Sequence, residues 1–526
     1  MNSPPQKDWT VMIYMAGNNN LDHSNERKSE AVKDLKLIKK VGSNDRVSIL
    51  AQLDRGVKGG TPRFYLKSGG RYPEDIICNL GETNTGDPRE LIDFLDWGMC
   101  EHPARQYLVI LWGHGAGALD VDFLTFNDPP PSRLDPYRRR SEISNRGGDG
   151  EMQKPVESEK MENISRNELF PDYEDLYDLP PFTPSRLSLL ARDQAKLFGV
   201  DLPDDSPLDY LDNEELRFAF ETIKEMHQRR IDVVAMDSCL MSMVEIGFQL
   251  RGLVDYMIGS QDLVPKDGFP YDIIFRQLTR NPGITPRELS VAMVGHYIKS
   301  FKAKYNPTLT VCDLTKFDSA IQDSLVGAID RLAATLLGFI TPKGADAKKA
   351  QMVRAAILFA RGRAQYFDVG DYIDIHHFCD LLEAYWDRAR VKNRIVKIGD
   401  KTDEKMDEGL IGKGGAKIDD RPKIEQADID LIKSACRQVK DHFGPDKLVI
   451  ASDYKGRLVR NARGLSIYFP IKGVDPTYRA IDFAKQTVWL EFIDTFVKQT
   501  YWLDFLKEFA HNTRTPFQLH LPKPLD

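Results

Sequence analysis

The sequence predicts an α/β protein whose largely parallel sheet is flanked by helices. Short apolar runs that end in Gly, Asn or His alternate with segments whose apolar residues recur at helical spacing. This alternation is typical of parallel sheets, because each parallel strand needs a crossover and the crossover is usually a helix. The chain has 526 residues, which favours two or three domains.

Composition excludes several broad classes of protein. Hydrophobic residues make up 41% and charged residues 29% of the chain, as in globular proteins. The net charge of −7 gives no general attraction to nucleic acid or to an anionic membrane. No apolar run is long enough to span a membrane. The N-terminus lacks the apolar stretch of a signal peptide, so we expect a cytoplasmic protein by default, or a secreted one if a leader has been removed.

The first part of the chain has the elements of the sheet in order. Apolar runs predict strands over 9–17, 46–54, 62–67, 107–113, 231–236 and 255–260. A Gly-rich turn over 56–60 suggests that the second and third of these strands form a hairpin. Helical spacing predicts helices over 22–40 and 88–101, and helical segments within 185–230.

A long charged segment interrupts this pattern, and a second unit follows it. Residues 120–185 are rich in Pro, Arg, Asp, Glu and Ser, which predicts a flexible insertion. We therefore expect a catalytic domain over 1–300 that carries this insertion. We expect a C-terminal α/β domain over 301–526, with strands at 309–313, 448–451 and 464–470, that completes or buttresses it.

Two of the predicted strands end in reactive residues. His114 follows 107-YLVILWG-113, and Cys239 follows 231-IDVVAMDS-238. Ligands of parallel sheets bind beyond the carboxyl ends of the strands, so both side chains are expected at one edge. A thiol nucleophile needs a histidine nearby, and these two are 125 residues apart in sequence, so their pairing is spatial.

Each of these residues also has an ordinary structural interpretation. Helical spacing after Cys239 predicts that it lies at a helix N-terminus, where the helix dipole lowers a thiol pKa. A buried cysteine can instead pack as a small hydrophobe. His114 stands between two glycines, which let the backbone approach a substrate closely, but a His-Gly pair is also common in a tight turn.

Several segments together resemble a known family. The sequence is similar to the caspase-like (clan CD) cysteine peptidases and, in detail, to the clostripain family. The resemblance extends in order along nearly the whole chain, over 9-WTVMIYMAGNNNLD-22, 108-LVILWGHGAG-117, 235-AMDSCLMSMVEI-246, 259-GSQDLVPKDGFPYD-272 and 464-GLSIYFP-470.

The resemblance implies a caspase-like fold and a catalytic dyad. Cys239 would attack the peptide carbonyl, and His114 would be the general acid that protonates the leaving amine. The backbone N–H groups of Gly115 and Cys239 would form the oxyanion hole, with no third catalytic residue.

The resemblance also implies cleavage after Arg or Lys. Asp237, two residues before the nucleophile, would line the S1 pocket, and a buried carboxylate selects a guanidinium well. The alternative for Asp237 is a helix N-cap. Asp262 and Asp267 are further S1 candidates. The sequence departs from the family pattern at Gln261, where Glu is common, and at Leu263, where Thr is expected.

Family members often cut themselves between the His and Cys segments. An exposed basic site in the insertion would suit a protease with this specificity. The alternative is a solvated loop that is never processed. We hypothesise autoprocessing within 138–160, at one of Arg138, Arg139, Arg140, Arg146, Lys154 and Lys160.

The sequence predicts no required cofactor and no metal site. The six cysteines are scattered without zinc-site spacing, and 409-GLIGKGGAK-417 lacks the features of a phosphate-binding loop. Some relatives depend on calcium, so a calcium requirement stays open. The expected partners are protein or peptide substrates with a basic P1 residue; the oligomeric state is not predicted.

Two other functions stay open at this point. One is a thiol amidohydrolase or transpeptidase of the same fold with narrow substrates. The other is a non-catalytic binding protein that kept the fold, although the presence of Cys239, His114 and Asp237 favours an enzyme.

Overall fold

Parallel strands form the centre of one large sheet in the computed structural model of this chain. The structure describes residues 6–19, 21–23, 25–55, 60–119, 211–317, 323–341, 347–387, 424–471, 473–479 and 481–498. All of them belong to one compact unit formed by residues 1–121 and 187–502.

The large sheet has nine strands in the order β10-β8-β7-β6-β5-β1-β2-β3-β4. Strands β7, β6, β5, β1 and β2 are parallel, and the strands at both edges are antiparallel. Strands β9 and β11 form a separate antiparallel pair. The strand bounds are β1 (Lys7–Ala16), β2 (Val47–Asp54), β3 (Pro62–Tyr65), β4 (Ile76–Asn79), β5 (Ala104–Trp112), β6 (Ile231–Asp237), β7 (Val254–Gly259), β8 (Thr308–Asp313), β9 (Tyr372–Asp374), β10 (Val449–Tyr454) and β11 (Ser466–Tyr468).

Helices connect the strands and cover the sheet. Among the described residues they are α1 (Glu30–Ile38), α2 (Pro88–Glu101), α3 (Asn213–His227), α4 (Val244–Leu250), α5 (Tyr271–Arg280), α6 (Pro286–Ser300), α7 (Leu325–Ile340), α8 (Ala347–Arg363), α9 (375–387), α10 (Gln426–Lys440), α11 (Asp482–Gln486) and α12 (489–498).

Each face of the sheet has its own hydrophobic core. Strand residues alternate between faces, so Val11 and Ile13 pack in one core while Met12 and Tyr14 pack in the other. Helices α1, α5 and α6 cover the first core, and α2, α3 and α4 cover part of the second. Burial on both faces explains why the central strands are continuous apolar runs. Each fully buried Leu, Ile or Phe contributes about 1.5–3 kcal/mol.

The predicted parallel α/β sheet is confirmed, with corrections to individual elements. The helix expected over 22–40 is shorter, because α1 begins only after Ser29, whose hydroxyl accepts a hydrogen bond from Val32 N–H. The preceding segment is a loop in which Asp22 binds Arg55 at 2.8 Å. Strands β4 and β9 were not predicted, since both are short.

The sheet continues across the expected domain boundary at residue 300. Strand β8 pairs with β7, and β10 pairs with β8. The division into 1–300 and 301–526 stays a prediction. The insertion expected over 120–185 and the hairpin turn at 56–59 lie outside the described residues. Within the described part of the chain, no helix is both long and apolar enough to cross a membrane.

Candidate active site

Two neighbouring parallel strands bring the predicted reactive residues to the same edge of the sheet. Strand β5 pairs with β6 in a register that sets Trp112 opposite Asp237. His114 and Cys239 each come two residues after this matched pair. The backbone N–H of Gly113 donates a hydrogen bond to the carbonyl of Asp237 at 3.4 Å, which holds the two strand ends together.

Gly115 lies directly against the peptide group of Cys239. A Cβ atom built on Gly115 would stand 2.0 Å from the Cys239 carbonyl oxygen and 2.8 Å from its nitrogen. Such distances are far inside van der Waals contact, so only glycine fits without moving the backbone. Neither the Gly115 N–H nor the Cys239 N–H donates to a backbone acceptor among the described residues. Both donors are therefore available beside the thiol.

The Cys239 thiol is buried beneath the segment that follows β7. Its residue is 9% exposed, and the backbone N–H of Val264 donates a hydrogen bond to Sγ over 3.3 Å. Burial raises the pKa of the thiol to about 12, although the Val264 bond acts in the opposite direction. The carboxylates of Asp262 and Asp368 also raise this pKa. The thiol is therefore protonated at neutral pH in this arrangement.

The expected helix N-terminus at Cys239 is wrong. Helix α4 begins at Val244, after the cap residue Met243, and Cys239 lies in the turn before it. Leu240 in this turn has a positive φ of 63°, and Ser242 Oγ donates to the Gly464 carbonyl at 2.6 Å. Because of these contacts the helix begins five residues after Cys239, at Val244. Its dipole therefore does not lower the pKa of the thiol.

Asp237 is a buried carboxylate and does not cap a helix. Its Oδ2 accepts hydrogen bonds from Tyr271 Oη at 2.7 Å and from the Phe269 N–H at 3.1 Å. Burial raises its pKa to about 6, and these two bonds lower it only in part. Its Oδ1 is buried with no hydrogen-bond partner among the described residues. The helix-cap alternative is therefore excluded, because the cap residue of α4 is Met243.

A second buried carboxylate, which was not predicted from the sequence, lies near Asp237. Asp34 on α1 accepts a hydrogen bond from Trp112 Nε1 at 2.8 Å. Its pKa is raised well above the usual value, first by burial and then by the charge of Asp237. A signal was present in the sequence, since Asp34 interrupts the buried stripe of Ala31, Leu35 and Ile38 on α1.

The other two predicted pocket residues differ in exposure. Asp262 accepts a hydrogen bond from the Asp368 N–H at 3.2 Å, and burial raises its pKa to about 6, with the Asp368 charge adding to the effect. Asp267 is exposed, and its charge contributes to raising the pKa of Asp34. Asp368 comes from the loop before β9, where no sequence pattern pointed to the site.

Gln261, one of the departures from the family pattern, is fully buried. Its side chain donates to Asp374 Oδ2 at 3.0 Å and accepts from the Gly464 N–H at 2.8 Å. These bonds connect the segment after β7 to the last residue of β9 and to the segment before β11. In this chain the residue therefore links the site to residues beyond 300.

Other polar residues of the described chain have structural contacts, and the residues proposed for autoprocessing cannot be located. Asn19 forms a polar turn, donating to the Ala16 carbonyl at 2.8 Å and accepting from Leu21 N–H. His376 and His377 are adjacent on α9, and His377 Nδ1 accepts from the Gln365 N–H at 2.9 Å. The six basic residues proposed for autoprocessing, Arg138 to Lys160, lie outside the described residues.

A sheet edge that carries a cysteine, a histidine and a close backbone cradle is typical of cysteine hydrolases. The model of the clostripain family of C11 peptidases matches residues 13–124 and 192–407. The chain therefore belongs to the clostripain family and is a cysteine peptidase. Its substrates are accordingly peptides or proteins.

Solved structures of C11 proteases are distantly similar to this chain. One is a secreted cysteine protease from Bacteroides thetaiotaomicron bound to an irreversible peptide inhibitor, with 14% identity, coverage of 93% of this chain and 99% of that chain, and a TM-score of 0.49. Another is an inactive zymogen from Parabacteroides distasonis, with 15% identity, coverage of 93% and 99%, and a TM-score of 0.48. No curated protein matches the chain. The expectation of a cytoplasmic protein gains no support from these findings.

Proposed function

We propose that this protein is an endopeptidase that cleaves after Arg or Lys through Cys239 and His114. The observation that supports the dyad is the matched position of the two residues beyond neighbouring parallel strands. The close fit of Gly115 against the Cys239 peptide supports an oxyanion hole made by their two N–H groups.

In the proposed reaction the cysteine is activated during attack. The pKa of the Cys239 thiol is about 12, so attack needs a proton acceptor nearby. Sγ bonds to the substrate carbonyl carbon while its proton passes to an unprotonated nitrogen of the His114 imidazole. The Val264 N–H, which donates to Sγ, favours the developing thiolate. The two N–H donors stabilise the negative charge that forms on the carbonyl oxygen.

The second half of the reaction releases both products. The carbon–nitrogen bond breaks as the imidazolium of His114 gives its proton to the leaving amine, which leaves a thioester on Cys239. Water then attacks the thioester and gives a proton to His114. That proton returns to sulfur as the carbon–sulfur bond breaks, which releases the acid product and the free thiol.

The preference for a basic P1 residue is attributed to the carboxylates around the site. The unpartnered Oδ1 of Asp237 is a ready acceptor for a guanidinium or ammonium group. A neutral side chain would leave this buried carboxylate unpaired, which costs binding energy. Asp262 and Asp267 are proposed to add to the negative potential of the same pocket.

The test is cleavage of fluorogenic peptides with Arg, Lys, Asp or Ala at P1, with and without calcium. Wild type is compared with Cys239→Ala and Asp237→Ala. We expect turnover of Arg and Lys peptides alone, its loss in Cys239→Ala, and a reduced basic preference in Asp237→Ala. Equal turnover of Asp and Arg peptides would contradict the specificity. No turnover of any peptide would favour the narrow-substrate hydrolase.

We also propose that the chain cuts itself within 138–160, at one of the six basic residues in that range. Supporting this, the range is rich in cleavable Arg and Lys and lies between the His114 and Cys239 segments. Mass spectrometry of purified wild type and Cys239→Ala is the test. Wild type should be cut after a basic residue while the variant stays intact, and an intact wild-type chain would contradict the proposal.

A further inference from the structure

A second group of chemically active side chains lies on α2 and α3, the helices that precede strands β5 and β6. Asp96 and Cys100 are four residues apart on α2, and His227 is in the last turn of α3. One possible ligand atom from each residue lies within 4.8 Å of the other two. His227 Nε2 is 2.9 Å from Asp96 Oδ1, and Cys100 Sγ is 3.5 Å from the same oxygen.

We propose that Asp96, Cys100 and His227 bind a zinc ion that cross-links α2 and α3. Zinc prefers four ligands of sulfur, nitrogen and oxygen type, and sites with three protein ligands take a water molecule as the fourth. Tetrahedral zinc with ordinary bond lengths separates sulfur from oxygen by about 3.6 Å and nitrogen from oxygen by about 3.4 Å. The distance between Cys100 Sγ and Asp96 Oδ1 already matches this geometry. The distance between His227 Nε2 and Asp96 Oδ1 would have to increase by roughly half an ångström.

The chemistry of the three donors selects among divalent cations. A thiolate and an imidazole favour zinc over calcium or magnesium, which take oxygen ligands. Cys100 is exposed, and Asp96 and His227 are partly exposed. Zinc can therefore enter from solvent, and a water molecule can complete the coordination.

The proposed zinc site lies on the two helices that lead into β5 and β6, the strands that carry His114 and Cys239 at their carboxyl ends. Helix α2 leads directly into β5, which ends before His114, and α3 leads directly into β6, which ends before Cys239. The segment between β5 and α3 contains the range proposed for autoprocessing. The zinc cross-link would hold α3 against α2 after such a cut, when the two helices belong to separate chains.

Sequence spacing does not reveal this site. Asp96 and Cys100 lie on one helix face because they are four residues apart, but His227 follows 127 residues after Cys100. The expectation of no metal site rested on spacing between cysteines and histidines. Contact between α2 and α3 is tertiary, so only the fold brings the third donor to the other two.

The test is zinc stoichiometry in the full-length chain, measured by competition with a chromophoric chelator. All proteins carry Cys239→Ala, because the active-site thiol can itself bind zinc. We expect one zinc per chain in Cys239→Ala and in the control that adds Cys78→Ser, another exposed free cysteine. Adding Cys100→Ser, a conservative change at an exposed residue, should weaken binding by more than about tenfold.

Cobalt and thermal unfolding give independent readouts. Cobalt should produce a thiolate-to-metal charge-transfer absorption that disappears with Cys100→Ser. The Tm should rise with zinc concentration in Cys239→Ala and not after Cys100→Ser is added. Equal zinc binding with and without Cys100, or no zinc bound by Cys239→Ala, would overturn the proposal and leave His227 and Asp96 as a hydrogen-bonded pair.

Discussion

Cys239 and Cys100 both lie near acidic groups, yet their surroundings suit opposite kinds of chemistry. Cys239 is buried at the end of a central strand, with the backbone of Gly115 and Val264 packed around it. Cys100 is exposed on a helix, and its thiol donates to the Asp96 carboxylate. The pKa of each thiol is raised, by burial first in both cases.

The difference shows that the neighbours of a cysteine, more than its pKa alone, indicate its role. Around Cys239 lie backbone N–H groups, which in the proposed reaction stabilise an oxyanion. Around Cys100 the neighbouring groups are the side chains of Asp96 and His227, whose possible metal-ligand atoms lie within 4.8 Å of each other and of the thiol. Substitutions at the two cysteines should therefore have different effects.

The largest effect is expected from removing the proposed nucleophile, Cys239. Cys239→Ala should lower kcat/KM for an Arg peptide by at least about ten-thousandfold, because no other group can form the thioester. In zinc-free buffer Cys100→Ser should leave kcat/KM unchanged, since Cys100 precedes the start of β5, whereas the reactive residues follow the carboxyl ends of β5 and β6. Peptide hydrolysis by the two purified variants measures both. A comparable loss in Cys100→Ser would break the distinction between the two sites.

Gly115→Ala should lower kcat/KM by about a hundredfold, because its Cβ would collide with the Cys239 peptide and shift the reacting groups. Gly295→Ala is the matched control, since a Cβ there meets no atom within 4 Å. Thermal unfolding checks that both variants are folded. Normal activity in a folded Gly115→Ala would exclude the proposed oxyanion hole.

Asp237→Asn should stabilise the protein at neutral pH. The pKa of Asp237 is about 6 when folded and near 3.8 when unfolded, so its contribution to stability is full below the unfolded value and is lost as pH rises through about 6. The loss is up to about 3 kcal/mol. Urea unfolding of wild type and Asp237→Asn should give a difference that grows between pH 4 and pH 6. Asp446→Asn, at an exposed carboxylate, should show no such growth.

Activity toward basic peptides should fall at low pH, because the ionised form of Asp237 is the one that attracts the cation. With a pKa of about 6, kcat/KM for Arg peptides should drop by about tenfold for each pH unit below it. Asp262, whose pKa is also about 6, would steepen the fall. The pH dependence of kcat/KM should be flatter in Asp237→Asn. An unchanged pH dependence would show that Asp237 does not bind the P1 side chain.

Sequence patterns were sufficient for the centre of the fold and for the meeting of two strand ends. The apolar runs over 107–113 and 231–236 predicted buried parallel strands, and polar residues just after them pointed to the edge where ligands bind. Those features are local, so a single sequence carries them.

Contacts between distant segments account for what the sequence did not predict. The start of α4 depends on the bond from Ser242 to the Gly464 carbonyl, and helical spacing after Cys239 cannot reveal it. The thiol pKa depends on burial under the segment that contains Val264. Asp34 and His227 reach their partners only through the packing of helices on the sheet.

The central claim, that Cys239 attacks substrates with a basic P1 residue, can be tested in one labelling experiment. The full-length protein is treated with two irreversible peptide acyloxymethyl ketones that differ only in a P1 Lys or a P1 Asp, and the modified cysteine is identified by peptide mass spectrometry. The account predicts a Lys-probe adduct on Cys239, none on Cys100, and no adduct from the Asp probe. Equal labelling by both probes, or labelling of Cys100 in place of Cys239, would contradict it.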